Sequence, residues 1–425
     1  MLSIKKSKDN LTRKLAPFFL KELLRILTIY SKITLKGLDN NHIDAFKYLS
    51  KYVIEHHFHA YKYGSIWTTL FVPSEILFAM KLPNFSLEIA AALCARYGKS
   101  AQGFAEADLF AIPTDVCSFH RAGIGHAFTG FYPQPKFLVG TTTICDSNLK
   151  TIKICESETG KESLIIDVPY EMSDYSVKYL ADQLRNLTKC LEKVSGKTME
   201  KDSLRRAIDL SNQAREKMIE INRVREDPLS PLMGQDSLGL MLPSHLLIGS
   251  TYAVDFYSKL LEELKEKIAA KKREGVKEEE KIKILWLELK PYFCSDIFDK
   301  IESARNVKIV FEEINHVYWE KLDPDKPYES IARKLISNHN NGPLERRLDV
   351  IKMLSKNYHI DGIIAFSTWG CRRNNAAIPT IKKEMNREGY PLLNLDGDCV
   401  DDSNYMSGQI ATRIEGFLEM LGVRK

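Results

Sequence analysis

No apolar run in this chain approaches the ~18 residues that a membrane helix needs, so no membrane span is expected. Eight cysteines in 425 residues are too few for a disulfide scaffold, which points to a reducing, cytoplasmic compartment. None of them forms a Cys-x-x-Cys pair, so zinc ribbons, thioredoxin-like redox pairs and bacterial ferredoxin clusters have no support. A phosphate loop is also missing. Ser195-Gly196-Lys197-Thr198 has the tail of that motif, but Leu191 holds the place of the first glycine. Gly160-Lys161 has Cys155 there, and Gly123-Ile124-Gly125-His126-Ala127-Phe128 lacks the third glycine of a dinucleotide fingerprint. Any ATP used in the chemistry is therefore expected to sit on another protein. The net charge of +5 is small for this length, which argues against a nucleic-acid binder and suits a small anionic ligand. Met1 to Lys14 is polar and basic, and Phe18 to Tyr30 is interrupted by Lys21, Glu22 and Arg25. That pattern predicts an amphipathic helix rather than a signal or anchor.

What is present is an alternation of helical and strand-like segments. At 425 residues the chain exceeds one ordinary core, so more than one domain is expected. Leu20, Leu23, Leu24 and Leu27 recur at helical spacing, as do Phe46, Leu49, Val53 and Ile54. Strands are predicted over Ser65 to Val72, along the run ending at Ile144, and over Leu164 to Val168. Long helices follow, with a break at Asp227-Pro228 and a charged linker from Lys271 to Glu280. Strands resume at Lys283 to Leu289, Val307 to Phe311, Gly362 to Phe366 and Leu392 to Leu395. The expected fold is α/β: two flavodoxin- or Rossmann-like parallel-sheet domains over 61–235 and 236–425, with a helical N-terminal segment over 1–60.

In open parallel sheets, ligands bind outside the carboxyl ends of the strands. Cys145 falls there after Phe137-Leu138-Val139-Gly140-Thr141-Thr142-Thr143-Ile144, and Cys371 after Gly362-Ile363-Ile364-Ala365-Phe366-Ser367-Thr368-Trp369-Gly370. Cys117 lies just upstream of the first of these runs. A buried cysteine is usually a small inert hydrophobe. Position and polar company set these apart, since Asp146-Ser147-Asn148 and Arg372-Arg373-Asn374-Asn375 follow the last two. Three thiols at one crevice suggest a metal cluster with one open coordination position, able to act as a Lewis acid or to pass single electrons. Arg121, Arg372, Arg373, His120 and His126 stand nearby in sequence and are candidates for steering anions or offsetting thiolate charge.

Several segments resemble the 2-hydroxyacyl-CoA dehydratase and benzoyl-CoA reductase superfamily, over about residues 60 to 425. They are Phe71-Val72-Pro73-Ser74-Glu75-Ile76, Cys117-Ser118-Phe119-His120-Arg121, Thr142-Thr143-Ile144-Cys145-Asp146 and Trp369-Gly370-Cys371-Arg372. The most specific is Leu395-Asp396-Gly397-Asp398 with the following Gln409-Ile410-Ala411-Thr412-Arg413-Ile414-Glu415-Gly416. The resemblance implies a [4Fe-4S] cluster on Cys117, Cys145 and Cys371 between two flavodoxin-like domains. It implies that one electron enters an acyl-CoA thioester to give a ketyl radical anion, which lets a β-proton and the 2-hydroxyl leave. The electron would come from a separate ATP-hydrolysing iron-sulfur activator, and the chain would pair with a homologous second subunit or with itself. Glu88 falls where some dehydratase subunits carry a carboxylate beside the substrate, a candidate base whose other reading is a helix-first-turn Glu stabilised by the dipole.

One departure stands out. Where some catalytic subunits carry a hydroxyl residue before the Pro-x-Glu motif, this chain has Leu70, with Thr69 expected to face the other way. An electron-relaying subunit and a benzoyl-CoA reductase-type subunit therefore stay open. So does a double-cubane [8Fe-9S] reductase, which would need about six thiolates and draw on Cys155, Cys294 and Cys399. Outside enzymes altogether, the thiols would be core residues of a metal-free binding module.

Overall fold

The computed structural model describes residues 43–277, 281–293, 295–302 and 306–422. Leu20, Leu23, Leu24, Leu27 and Cys294 lie outside the described residues. Of the N-terminal helices, Ala45–Tyr63 is formed, and it buries Leu49 and Ala60. The protein is α/β, with two four-stranded parallel sheets. The first contains β1 (Ser65–Thr68), β2 (Asn84–Ser86), β3 (Pro135–Thr141) and β4 (Ser163–Ile166), in the order β2-β1-β3-β4. The second contains β5 (Ile282–Leu287), β6 (Val307–Glu312), β7 (Gly362–Thr368) and β8 (Leu392–Gly397), in the order β6-β5-β7-β8. The two orders are the same. In each, the chain steps one way from its first strand and then returns to the other side, which puts a switch point between β1 and β3 and between β5 and β7.

The strands form where near-continuous apolar runs can be covered on both faces. Phe137, Leu138 and Val139 of β3 and Ile363, Ile364, Ala365 and Phe366 of β7 are all buried. A Cβ at Gly140 would meet Ile152 and Ile165 at 2.9 and 3.0 Å, so its absence lets the helix Asp146–Thr159 lie close on the sheet. The apolar runs overshoot the strands. β1 stops at Thr68 because Phe71 has a left-handed backbone (φ 67°), and β5 stops at Leu287 because Glu288 does too (φ 72°).

Packing interlocks the two halves of the chain. Trp319, Leu322, Ile331, Leu335 and Ile336 belong to the core around the first sheet. The helix Pro327–Ile336, which carries the last three of these, packs on Asp174–Ser195, which inserts Leu180, Leu184, Leu187 and Leu191. Each such leucine contributes roughly 1.5–3 kcal/mol when buried. Lys334 of that helix reaches the buried Glu75 at 2.7 Å, tying it to the Pro73-Ser74-Glu75 turn. In the opposite direction, Ala91, Phe104, Phe119 and Ala122 enter the core of the second sheet. The helix Ser118–Phe128 thus bridges both sheets, and Cys117 sits at its start.

Candidate functional site

Each of the three cysteines is an N-cap. Cys117 precedes the helix Ser118–Phe128, Cys145 precedes Asp146–Thr159 and Cys371 precedes Arg372–Arg387. The carbonyls of these residues accept the first helical bonds, from Arg121 (3.0 Å), Asn148 (3.2 Å) and Asn375 (3.0 Å). A helix N-terminus carries about half a positive charge, so the dipole at each position favours a thiolate, while burial of Cys117 and Cys371 works against one.

The loops that present them are strained. Ile144, a β-branched residue, has φ 59°, and Gly370 has φ 74°. With Phe71 and Glu288, this makes a left-handed residue just past the carboxyl ends of β1, β3, β5 and β7. Such non-glycine conformations cost about 1–3 kcal/mol each and cluster at functional sites. At Gly370 glycine is required twice over. A Cβ there would lie 2.6 Å from the Cys117 nitrogen and 2.8 Å from its Cα, so the bare backbone is what lets Cys371 stand beside Cys117.

Cys117 and Cys145 line a cavity of about 90 Å³ with Leu70, Phe71, Glu88, Phe119, His120 and Met241. Glu88 is buried in the first turn of the helix Leu87–Arg96. One of its oxygens accepts the Leu70 N–H (3.1 Å) and the other the Ser86 hydroxyl (3.4 Å). Burial pushes its carboxyl up to about 7. Burial also holds the neutral form of His120, lowering it to about 4. Its Nδ1 lies 2.9 Å from the Thr151 hydroxyl and its Nε2 3.7 Å from the Cys145 sulfur. With the Thr151 hydroxyl donating to Nδ1, the Nε2–H points at that sulfur.

Cys371 lies outside the cavity wall, next to Cys117. Burial raises the Cys117 thiol well above its ordinary value, and the Cys371 and Cys145 thiols add to the effect. A frame of buried charge stands behind Cys371. Arg347 holds Glu313 with two bonds (2.7 and 2.8 Å), reaches Glu288 at 2.8 Å and donates to Asn374 at 3.2 Å. Arg373 joins Glu288 to Asn340, each at 2.7 Å. Sequence reading missed this frame, because its members are scattered from residue 288 to 374 and carry no local motif.

The remaining candidates fall elsewhere. Arg121 is buried, pairs with Asp108 and stacks on Phe104, with its guanidinium carbon 5.2 Å from the ring centre. Arg372 is exposed and paired with Asp115 at 3.2 Å. His126 packs against Phe131 and Tyr132. Cys155 is buried in a core with Trp67, Phe85 and Leu138. Cys399 is buried with its sulfur 2.8 Å from the Thr368 hydroxyl, close enough to Cys117 and Cys371 to feel their charge. Asp398 beside it accepts the N–H groups of Val400 and Asp401. The Thr69 hydroxyl accepts the Thr141 N–H (3.3 Å) and faces β3, so Leu70 alone meets the cavity. Among the described residues, no three His, Cys, Asp or Glu side chains are close enough to share a single ion. Among them, too, no helix is long and apolar enough to cross a membrane.

The family model for the 2-hydroxyglutaryl-CoA dehydratase D-component matches residues 69–421. The chain belongs to this family. Its relatives include the alpha subunit of (R)-phenyllactyl-CoA dehydratase from Clostridium sporogenes, 23% identical over 84% of this chain and 90% of that one. Lactoyl-CoA dehydratase subunit alpha from Anaerotignum propionicum is 24% identical over 84% of this chain and 90% of its own. The (R)-phenyllactyl-CoA dehydratase beta subunit is also similar, at 24% over 73% of this chain and 81% of that one. Alpha and beta dehydratase subunits thus both resemble this D-component chain, which points to a partner subunit. The family is one of dehydratases, so this chain is a component of an enzyme of that kind.

Proposed function

We propose that this chain is the iron-sulfur component of a 2-hydroxyacyl-CoA dehydratase-like enzyme that uses ATP-driven, single-electron ketyl-radical chemistry on an acyl-CoA. Its partners are a homologous second subunit or a second copy, and a separate ATP-hydrolysing iron-sulfur activator. The compartment is a reducing cytoplasm. One observation carries this reading: three thiols stand at three helix N-termini, and two of them, Cys117 and Cys145, line a cavity that also holds a buried carboxyl.

The donor set fits a [4Fe-4S] cluster on Cys117, Cys145 and Cys371. Thiolates are the ligands such clusters take, and each cysteine binds a different iron, so the three need not converge on one ion. When bound, the cluster supplies single electrons and one iron free to act as a Lewis acid. The helix N-termini offset the thiolate charge, and the His120 Nε2 lies 3.7 Å from the Cys145 sulfur, within reach to donate to it. Glu88, lifted to about 7, accepts a substrate proton at a carboxylate oxygen near neutral pH. The apolar walls keep water from competing.

A second reading, an electron-relaying subunit, is favoured by Leu70 in place of a hydroxyl. The two part on one experiment. Protein reconstituted without oxygen is reduced, and its electron paramagnetic resonance spectrum is recorded before and after adding lactoyl-CoA. A changed spectrum supports substrate at the cluster. An unchanged spectrum from fully loaded protein supports the relay.

A further inference from the structure

The cavity beside Cys117 and Cys145 has a marked chemical bias. Its walls include Leu70, Phe71, Ile89, Phe119, Met241 and Leu289, and among the described residues no lysine or arginine lines it. Four cations near it in sequence or space are engaged elsewhere. Arg121 pairs with Asp108, Arg373 with Glu288, and Arg372 with Asp115 on the surface. Lys290, next to Leu289, bonds the Gln235 carbonyl and lies over the Phe298 ring. Among the described residues, the one ionisable oxygen group facing the cavity is the Glu88 carboxyl. A second carboxylate brought in on an acyl chain would be desolvated with none of these cations to meet it. It would also stand against Glu88.

We infer that the acyl group this chain accepts is apolar and uncharged, and that Leu70 and Met241 select for it. This rests on the acyl-CoA reading above and narrows it: a dicarboxylic acyl chain such as 2-hydroxyglutaryl is excluded, and a short alkyl or aryl chain is admitted. Leu70 takes its place by its backbone, since its N–H is held by the Glu88 oxygen (3.1 Å). Met241 opens the short helix Met241–Leu246, where its sulfur accepts the Tyr292 hydroxyl at 3.5 Å. The two face the cavity from opposite halves of the chain, so each can be changed without touching a thiol.

The test is binding, read by calorimetry on iron-loaded protein without oxygen, with lactoyl-CoA, 2-hydroxyisocaproyl-CoA and 2-hydroxyglutaryl-CoA as probes. The two apolar thioesters should bind at least about tenfold more tightly than the dicarboxylic one, tenfold being ~1.4 kcal/mol. Met241→Arg, which supplies the missing cation, should shrink or reverse that ratio, and Met241→Leu should keep it. Equal or tighter binding of 2-hydroxyglutaryl-CoA to the wild type overturns the inference and leaves the acyl-CoA reading standing. Iron-loaded protein that binds none of the three overturns both.

Discussion

The two sheets have the same strand order and present a cysteine at the same topological place, yet they surround it differently. At the end of β3, Cys145 faces an apolar cavity with one carboxyl, Glu88, and one neutral imidazole, His120. At the end of β7, Cys371 is backed by two glutamates and two arginines in a buried frame. One side is dry and sparsely charged, which strengthens any electrostatic effect within it. The other is dense with paired charge, which fixes a loop but leaves no group free to react. On the proposed function, the chemistry lies in the first sheet's crevice and the second sheet's frame supports it. Cys117, on the helix that enters both cores, joins the two.

The largest effect should come from removing a thiol on either side. Cys145→Ala and Cys371→Ala should both lose nearly all cluster iron while keeping native circular dichroism. Either variant with full iron content would break the equivalence of the two sites.

Next comes Glu88→Gln, which acts on the dry side alone. Turnover should fall by ~10²–10⁴, the usual contribution of a general base. Wild-type turnover should decline as pH falls below about 7, because the raised carboxyl regains its proton there. Linkage carries the same sign. The raised carboxyl favours the fold below its ordinary value of 4.5, and that contribution is lost as pH rises through about 7. Glu88→Gln should therefore gain stability over wild type between pH 5 and 8, measured by urea midpoints. Unchanged turnover would return Glu88 to a helix-first-turn role.

Arg347→Leu tests the charged frame. It leaves Glu313 and Glu288 without their guanidinium, and removing one partner of a buried pair typically costs about 3–5 kcal/mol. A loss under ~1 kcal/mol in denaturant titration would mean the frame braces nothing.

The smallest effect should be Arg372→Ala. Its side chain and that of Asp115 are 79% and 71% exposed, and exposed pairs contribute at most ~1 kcal/mol. Iron content and stability should stay near wild type; lost iron would make Arg372 part of the site.

The parallel strands and the cysteines after them were legible because buried strands read as apolar runs and chemistry follows their carboxyl ends. Strand ends were less so. The runs through Phe71 and Leu289 read as strand, but these residues continue the apolar pattern into the cavity wall after the backbone has turned. β2 was missed, since three residues, Asn84-Phe85-Ser86, give no pattern to read. Arg121 stands close to Cys117 in sequence, but helical rotation turns its side chain to Asp108. Met241 and Arg347 reach the site only through tertiary packing, which no local spacing announces.

The most direct test of the central claim is iron and acid-labile sulfide per chain, on protein purified without oxygen. About four of each are expected, as one [4Fe-4S] cluster on Cys117, Cys145 and Cys371 requires. About eight irons would point to the double-cubane cluster instead. A colourless, iron-free protein after reconstitution would contradict the account outright.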